Sequence, residues 1–185
     1  MKVCFDVNVI VNLFARTDEC ADAVFSYDVA NAREFDVYVP ASALADIAYV
    51  LHRRGLTAAQ VDQSLEALFQ MFDVVDVNGS DGLRAHRNPM RDFEDALIAE
   101  SCFRSGIDVI VTHNVKDFKE SPVAAIAPSD FVRIYKPANY DYAEIKMHTK
   151  RALNDLTGVA RGSLSNLTDA ELGAVEMERY EKSHS

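Results

Sequence analysis

Apolar and polar positions alternate in blocks along the first 135 residues of the chain. The segments "KVCFD" (2–6) and "FDVYVP" (35–40) are short apolar runs of the kind that form buried strands, and Pro40 closes the second. Between them, residues 18–33 place apolar side chains at helical spacing. The chain therefore begins with a predicted strand, a helix and a second strand.

The same alternation continues to residue 127. A helix is predicted from Ser42, as its N-cap, to Arg54, with Gly55 as its stop. The remaining predicted elements are a helix opened by Thr57, strands at 73–77, 107–112 and 123–127, and a helix from Asp92 to Ser105 that stops at Gly106. This alternation indicates an α/β fold with a mostly parallel sheet of about five strands, covered on both faces.

The character of the sequence changes from about Pro137. Two polar helix candidates, at 138–156 and 168–183, are separated by a Gly/Ser-rich stretch at 157–167, and neither carries a broad apolar stripe. We therefore predict two parts, a domain at 1–135 and a helical C-terminal extension at 136–185. The sequence leaves open whether the extension packs on the domain, binds a partner or is mobile.

The charge balance limits how the protein could bind a polyanion. Nineteen Lys and Arg against 29 Asp and Glu give a net charge of −10, which opposes nonspecific attraction to nucleic acid. A polyanionic substrate would need a divalent cation or a local group of basic residues. The basic positions are His52, Arg53, Arg54, Arg84, His86, Arg87 and Arg91, each of which could equally belong to an ordinary solvated face.

Cysteine usage and the N-terminus indicate the compartment. The three cysteines form no CxxC pair and no even-numbered framework, which favours a reduced intracellular protein without structural zinc. The apolar run at 1–14 is broken by Asp6, Asn8 and Asn12, lacks a small-residue cleavage site and is too short to span a bilayer. We expect a cytoplasmic protein without a membrane segment.

Acidic and polar residues fall where a parallel α/β sheet binds ligands, outside the carboxyl ends of its strands. They come from four segments that are distant in the sequence. The candidates are Asp6 after the first strand, Asp46 one turn into the helix after the second strand, Asp92 and Asp95 in the first turn of a later helix, and Thr112, Asn114 and Asp117 after the fourth strand.

Carboxylates gathered in a cleft repel one another, and a hard divalent cation such as Mg²⁺ or Mn²⁺ relieves the repulsion. Such a cation activates water and neutralises charge on a phosphodiester. The chain has no plausible Ser/His/Asp set, GxSxG elbow, Walker A loop or GxGxxG fingerprint. Local interpretations stay open: Asp92 as an N-cap with Asp95 in the capping-box position, Asp6 at a strand end, Asp46 in solvent, and Asn114 and Asp117 in a turn.

Four motifs in order carry a resemblance to a known family. They are "FDVNVIVNLF" (5–14), "PASALADIAYVL" (40–51), "DFEDALIAE" (92–100) and "VTHNVKDF" (111–118). Over about residues 1–135 the chain resembles the PIN-domain nucleases, especially the VapC-like toxin branch. The resemblance implies an α/β/α sandwich, an acidic cluster that binds Mg²⁺ or Mn²⁺, cleavage of single-stranded RNA, and often a small antitoxin as partner.

The resemblance also assigns roles to residues. Asp6, Asp46 and Asp95 match the first three acidic positions, and Asp117 or Asn114 matches the fourth. The implied catalytic set is Asp6, Asp46, Asp95 and Asp117; the metal ligands are Asp6, Asp95 and Asp117; Asp92, Thr112 and Asn114 are auxiliary; and Arg53, Arg54, Arg87 and Arg91 are substrate-binding candidates. Two positions depart from the pattern, since Asp46 stands where Glu is common and Asn114 where many relatives carry Asp.

Two other functions compete with the nuclease. A phosphatase of the haloacid dehalogenase type would use Asp6 as nucleophile, but it needs a second Asp two residues later, where this chain has Asn8. The other is a catalytically weak scaffold that binds RNA or a protein partner. A homodimer is a further expectation, because it would join two weak basic patches into one groove.

Overall fold

The computed structural model of the protein describes residues 1–15, 21–53 and 55–138. The helical C-terminal extension predicted for residues 136–185 lies outside the described residues from residue 139 onward. Arg54, one of the substrate-binding candidates, also lies outside them.

The described chain forms one sheet with helices between its strands. The strands are β1 (Lys2–Phe5), β2 (Asp36–Pro40), β3 (Asp73–Val75), β4 (Val109–Val111) and β5 (Ala124–Ile126). The helices are α1 (Val7–Ala15), α2 (Ala21–Ala32), α3 (Ala41–Arg53), α4 (Ala58–Met71), α5 (Gly79–Arg87), α6 (Phe93–Arg104) and α7 (Pro128–Tyr135). The strand order is β3-β2-β1-β4-β5, and each described pairing is parallel.

The sheet is buried on both faces, which confirms the predicted three-layer α/β/α sandwich. Neighbouring residues on a strand point to opposite faces. Accordingly, Phe5 of β1 joins a core that includes Leu51 and Phe131, while Cys4 joins a second core that includes Ile98 and Phe118. The central position of β1 therefore brings its carboxyl end between both helix layers.

Three helices were not predicted from the sequence. Helix α1 follows β1 after one residue, so its apolar positions look like a continuation of the strand. Helix α5 contains two glycines but begins with a capping box between Asn78 and Asp81. Helix α7 begins with Pro128, a residue that also marks turns. The predicted N-cap at Ser42 is wrong, because α3 already begins at Ala41.

Helices α5 and α6 are joined by buried ion pairs. The fully buried carboxylate of Asp81 accepts hydrogen bonds from Arg84 and from Arg104 Nε, the latter at 2.9 Å. Burial raises the pKa of the Asp81 carboxyl, but hydrogen bonds from Arg104 and the Asn78 backbone and both arginine charges outweigh it and lower the pKa. The Arg84 side chain, 41% of which is exposed, is therefore paired with Asp81 and Glu100.

No helix in the described part of the chain is both long enough and apolar enough to cross a membrane.

Candidate functional site

Asp6 lies at the junction between β1 and α1. Its backbone N–H donates to the carbonyl of Val111 (3.0 Å), which extends the pairing of β1 with β4. Its carbonyl accepts the N–H groups of Val9 and Ile10, which start α1. The side chain is buried, with 5% of the residue exposed. The strand and the helix together fix this carboxylate at the carboxyl edge of the sheet.

The Asp6 carboxylate is the centre of a hydrogen-bond network. Its Oδ2 accepts from Thr112 Oγ1 (2.7 Å) and Asn8 Nδ2 (2.9 Å), and its Oδ1 accepts from the backbone N–H of Val7 (2.7 Å). Burial raises the pKa of Asp6, and these three hydrogen bonds oppose the rise without cancelling it. Thr112 Oγ1 also accepts the backbone N–H of Asn114 (3.0 Å). The network joins the ends of β1 and β4.

Asp95, in the first turn of α6, lies near four other carboxyl groups. Burial raises the pKa of Asp95, and the negative charges of Asp6, Asp92, Asp117 and Glu94 raise it further, to about 8. Two of these charges, those of Asp6 and Asp117, come from other segments of the chain. The structure therefore brings Asp6, Asp95 and Asp117 together at one edge of the sheet, as the topology predicted.

The two acids at the start of α6 have different local roles. Asp92 is the N-cap and accepts the backbone N–H of Glu94 (2.7 Å). Asp95 stands in the capping-box position. What distinguishes it is its raised pKa, which is caused by burial and by the charges of the neighbouring carboxylates. Asp92 satisfies the backbone of the helix, and Asp95 adds a carboxyl to the cluster.

The other predicted site residues lie around this centre. Asp117 and Asn114 are exposed on the loop after β4, where the N–H of Asp117 donates to the carbonyl of Asn114 (2.9 Å). The buried ring of Phe118 anchors the loop. Asp46 is half-buried on α3 and is not among the carboxylates that raise the pKa of Asp95. Its catalytic role stays a prediction.

The basic candidates fall into two regions. Arg53 is exposed in the last turn of α3. Arg87 is exposed in the last turn of α5, and Arg91 is exposed one residue before the N-cap of α6. Arg87 and Arg91 thus flank the connection that leads to Asp95. Their role in binding a substrate stays a prediction.

Two site residues were missed by sequence reasoning. Asn8 lies in α1, where its amide donates to Asp6 and to Thr112 (3.2 Å) and its Oδ1 accepts the N–H of His113 (3.2 Å). His113 lies beside this network, and its Nε2 is 3.1 Å from Nδ2 of Asn12. The repeated Asn in "DVNVIVN" was the available signal.

The carboxylates suit a hard divalent cation chemically. Asp6 Oδ1 accepts one hydrogen bond, so it keeps a second lone pair for a ligand. The repulsion at Asp95 is what a cation would relieve. Within residues 1–15, 21–53 and 55–138, no three Asp, Glu, His or Cys side chains are arranged to hold a metal ion together. The residues therefore fit Mg²⁺, which often uses one or two carboxylates and keeps several waters.

Comparison with known proteins places the chain in a family. Residues 2–116 match the model of the PIN domain. A chain of VapBC2 from Rickettsia felis, solved bound to a promoter DNA fragment, is 16% identical with a TM-score of 0.55, covering 69% of this chain and 98% of that one. A chain of VapBC-1 from nontypeable Haemophilus influenzae is 17% identical with a TM-score of 0.54, covering 70% and 99%.

These two structures show the same fold at low identity. The chain has no match among curated proteins. The PIN-domain match spans more than half of the sequence and includes the strand ends that carry Asp6 and Thr112. The protein belongs to the PIN-domain family.

Proposed function

We propose that the protein is a metal-dependent endoribonuclease that hydrolyses phosphodiester bonds in single-stranded RNA. The proposal is carried by one observation, the meeting at one sheet edge of carboxyl groups from three segments: Asp6 after β1, Asp95 on α6 and Asp117 after β4. Hydrolysis of a phosphodiester with a divalent cation needs carboxylates and few other groups. Membership of the PIN-domain family supports the same reaction.

Each acidic residue has a proposed task. Asp6, Asp95 and Asp117 would hold Mg²⁺, or Mn²⁺ in its place, directly or through water. When bound, the cation would lower the pKa of a coordinated water and offset charge on the phosphodiester. Thr112 keeps the Asp6 carboxylate in one orientation through its 2.7 Å hydrogen bond. Asp46 would orient the attacking water or accept its proton.

The substrate and the partner follow from charge and from family analogy. With a net charge of −10, the protein needs local cations to bind RNA, and Arg53, Arg87 and Arg91 are exposed at positions that could supply them. A small antitoxin is the proposed partner, by analogy with the toxin branch that the motifs resemble. It would inhibit by covering the acidic edge or by placing a cationic side chain there. A homodimer would unite the basic residues of two chains.

One observation favours a second candidate, a scaffold that binds RNA or protein without cleaving it. In the part of the chain that the structure describes, no three potential ligands are arranged around a common metal position. A nuclease must therefore complete its metal site with waters and with oxygens of the substrate. The scaffold would leave the carboxylates as helix caps and surface charges.

Cleavage of an end-labelled single-stranded RNA pool tests the proposal. We expect the wild-type protein to cleave with Mn²⁺ or Mg²⁺ and to stop in EDTA. Asp117→Asn removes an exposed carboxylate, so it should fold normally and lower the cleavage rate by about tenfold or more. Glu120→Gln is the matched control, because Glu120 is also exposed on the loop after β4 and should be dispensable.

The same assay separates the two candidate functions. Cleavage that survives EDTA, or that is equal in wild type and Asp117→Asn, contradicts the assigned metal site. A folded wild-type protein that binds RNA but cleaves none of the pool, with either metal, supports the scaffold instead.

A further inference from the structure

The connection between α5 and α6 is fixed by one side chain. Asn88, the C-cap of α5, uses both ends of its amide: Oδ1 accepts the backbone N–H of Met90 (2.9 Å), and Nδ2 donates to Glu100 Oε1 (2.8 Å). Met90 itself is buried against Ile98 and other members of the second core. In this five-residue connection, Asn88 at the start is bonded to α6, Met90 in the middle is buried, and Asp92 at the end caps α6.

Glu100 is an unusual residue for its surroundings. Only 8% of it is exposed, and its neighbours along α6 include the buried residues Ala99 and Cys102. Its second oxygen, Oε2, accepts from Arg84 Nε (3.1 Å). Because 41% of the Arg84 side chain is exposed, this ion pair is only partly buried and contributes little to stability. The other oxygen of Glu100, which accepts from Asn88, links α6 to the preceding connection.

That connection leads into the first turn of α6, which carries Asp95. Arg87 precedes Asn88, while Arg91 and the N-cap Asp92 follow Met90, and Asp95 lies in the next turn. Both arginines are exposed. A long cationic side chain binds a phosphate more tightly when its backbone is already in place, because less freedom is lost on binding.

We propose that Asn88 and Glu100 are positioning residues, which hold the connection so that Arg87 and Arg91 bind phosphate groups of single-stranded RNA beside the carboxyl cluster. This inference rests on the proposed function for its substrate. It gives a role to the Asn88–Glu100 hydrogen bond, which the proposed metal chemistry does not use.

The test measures the affinity for a fluorescein-labelled single-stranded RNA by anisotropy in EDTA, and turnover with Mn²⁺ separately. Asn88→Ala and Glu100→Ala should each weaken RNA binding by about tenfold, and the double variant should be no worse than either, because both remove the same restraint. Glu100→Gln keeps an acceptor for Asn88 and should bind RNA within about threefold of wild type.

Two controls separate positioning from general loss of stability. Arg104→Ala breaks the ion pair with Asp81 at the other end of α6, so it should lower the melting temperature without weakening RNA binding. Hydrogen exchange at the Met90 amide should accelerate in Asn88→Ala and remain slow in Glu100→Gln.

The outcomes test separately the positioning role of Asn88 and Glu100 and the proposed nuclease activity. Faster exchange at Met90 with unchanged RNA affinity in Asn88→Ala overturns the positioning role. An equal loss of affinity in Arg104→Ala also overturns it, since stability would then be the cause. If the wild-type protein binds RNA, shows these differences and cleaves nothing, the positioning role stands and the nuclease fails. If it binds no RNA in EDTA but cleaves with Mn²⁺, the positioning role is wrong and the nuclease stands; if it neither binds nor cleaves RNA, both are wrong.

Discussion

Asp95→Asn is expected to abolish cleavage and, in the same protein, to raise the stability of the metal-free state. Cleavage should fall by about 100-fold or more, because a metal-assisted reaction draws several kcal/mol from its cation. The gain in stability has a separate cause. The pKa of Asp95 is raised to about 8 by burial and by the charges of Asp6, Asp92, Asp117 and Glu94, so ionising this carboxyl in the native state is unfavourable.

The sign of the stability effect depends on pH. An Asp in the unfolded chain ionises near pH 4, whereas Asp95 in the native protein keeps its proton up to about pH 8. Between these values the native state binds the extra proton, so the free energy of unfolding of the wild type falls as the pH rises. Because Asn carries no charge, the free energy of unfolding of Asp95→Asn does not fall with pH for this reason. After allowance for solvent screening at a half-buried group, the free energy of unfolding of Asp95→Asn should exceed that of the wild type by about 1–3 kcal/mol near pH 8.

Urea unfolding in EDTA at pH 5, 7 and 9 measures this difference. The advantage of Asp95→Asn should be small at pH 5, grow to pH 8 and then level off. Glu94→Gln is the matched control, because it removes a charge from the same turn and should keep its cleavage activity. Equal pH dependence in the wild type and Asp95→Asn would show that Asp95 is not held among repelling carboxylates.

Mn²⁺ binding is expected to weaken steeply as the pH falls below 8. A ligand that must lose a proton to bind a metal couples affinity to pH, by about tenfold per unit for one proton. Because Asp95 keeps its proton up to about pH 8, the Mn²⁺ dissociation constant should rise by about 100-fold from pH 8 to pH 6. Above pH 8 the affinity should be nearly constant.

Calorimetry in two buffers of different ionisation enthalpy checks this coupling, because it also counts the protons released. One proton per bound ion is expected near pH 7 in the wild type. Asp95→Asn provides the comparison, since any residual Mn²⁺ binding should lose its pH dependence. An affinity that is flat from pH 6 to pH 8 in the wild type would exclude Asp95 as a ligand.

The strand ends could be predicted from the sequence because they depend on local patterns. The runs that end at Asp6 and Thr112 are short and apolar, and parallel pairing brings their ends to one edge whatever the strand order. The 2.7 Å hydrogen bond between these two residues needs in addition that β1 and β4 be neighbours, as they are in the sheet. Their convergence therefore needed no knowledge of side-chain packing.

Other features depend on contacts that no local pattern reveals. Helix α1 starts immediately after Asp6, so Asn8 lies in a helix and points its amide to Asp6 and Thr112 instead of serving a turn. The bond between Asn88 and Glu100 joins a connection to a later helix and depends on the packing of α5 against α6. Both are polar contacts between elements, which periodicity does not describe.

The acids of "RDFEDALIAE" (91–100) show most clearly what a local sequence pattern cannot predict. The local pattern offered a capping box for Asp92 and Asp95 together, whereas the family resemblance implied a metal-binding role for Asp95 and an auxiliary one for Asp92. In the structure Asp92 caps through the N–H of Glu94, whereas Asp95 lies among carboxylates from other segments. Helical spacing alone placed both residues in the first turn and did not distinguish them, whereas the tertiary fold surrounds Asp95 with carboxylates that the local pattern does not contain.

The central claim is that the carboxyl edge of the sheet holds a divalent cation. Crystals of the wild-type protein grown with Mn²⁺ test it directly through the anomalous signal of the metal. The account predicts a peak at bonding distance from carboxylate oxygens of Asp6 and Asp95, with waters completing the coordination, and no such peak in crystals of Asp95→Asn. An anomalous peak elsewhere, or none in a crystal that contains Mn²⁺ at millimolar concentration, would contradict it.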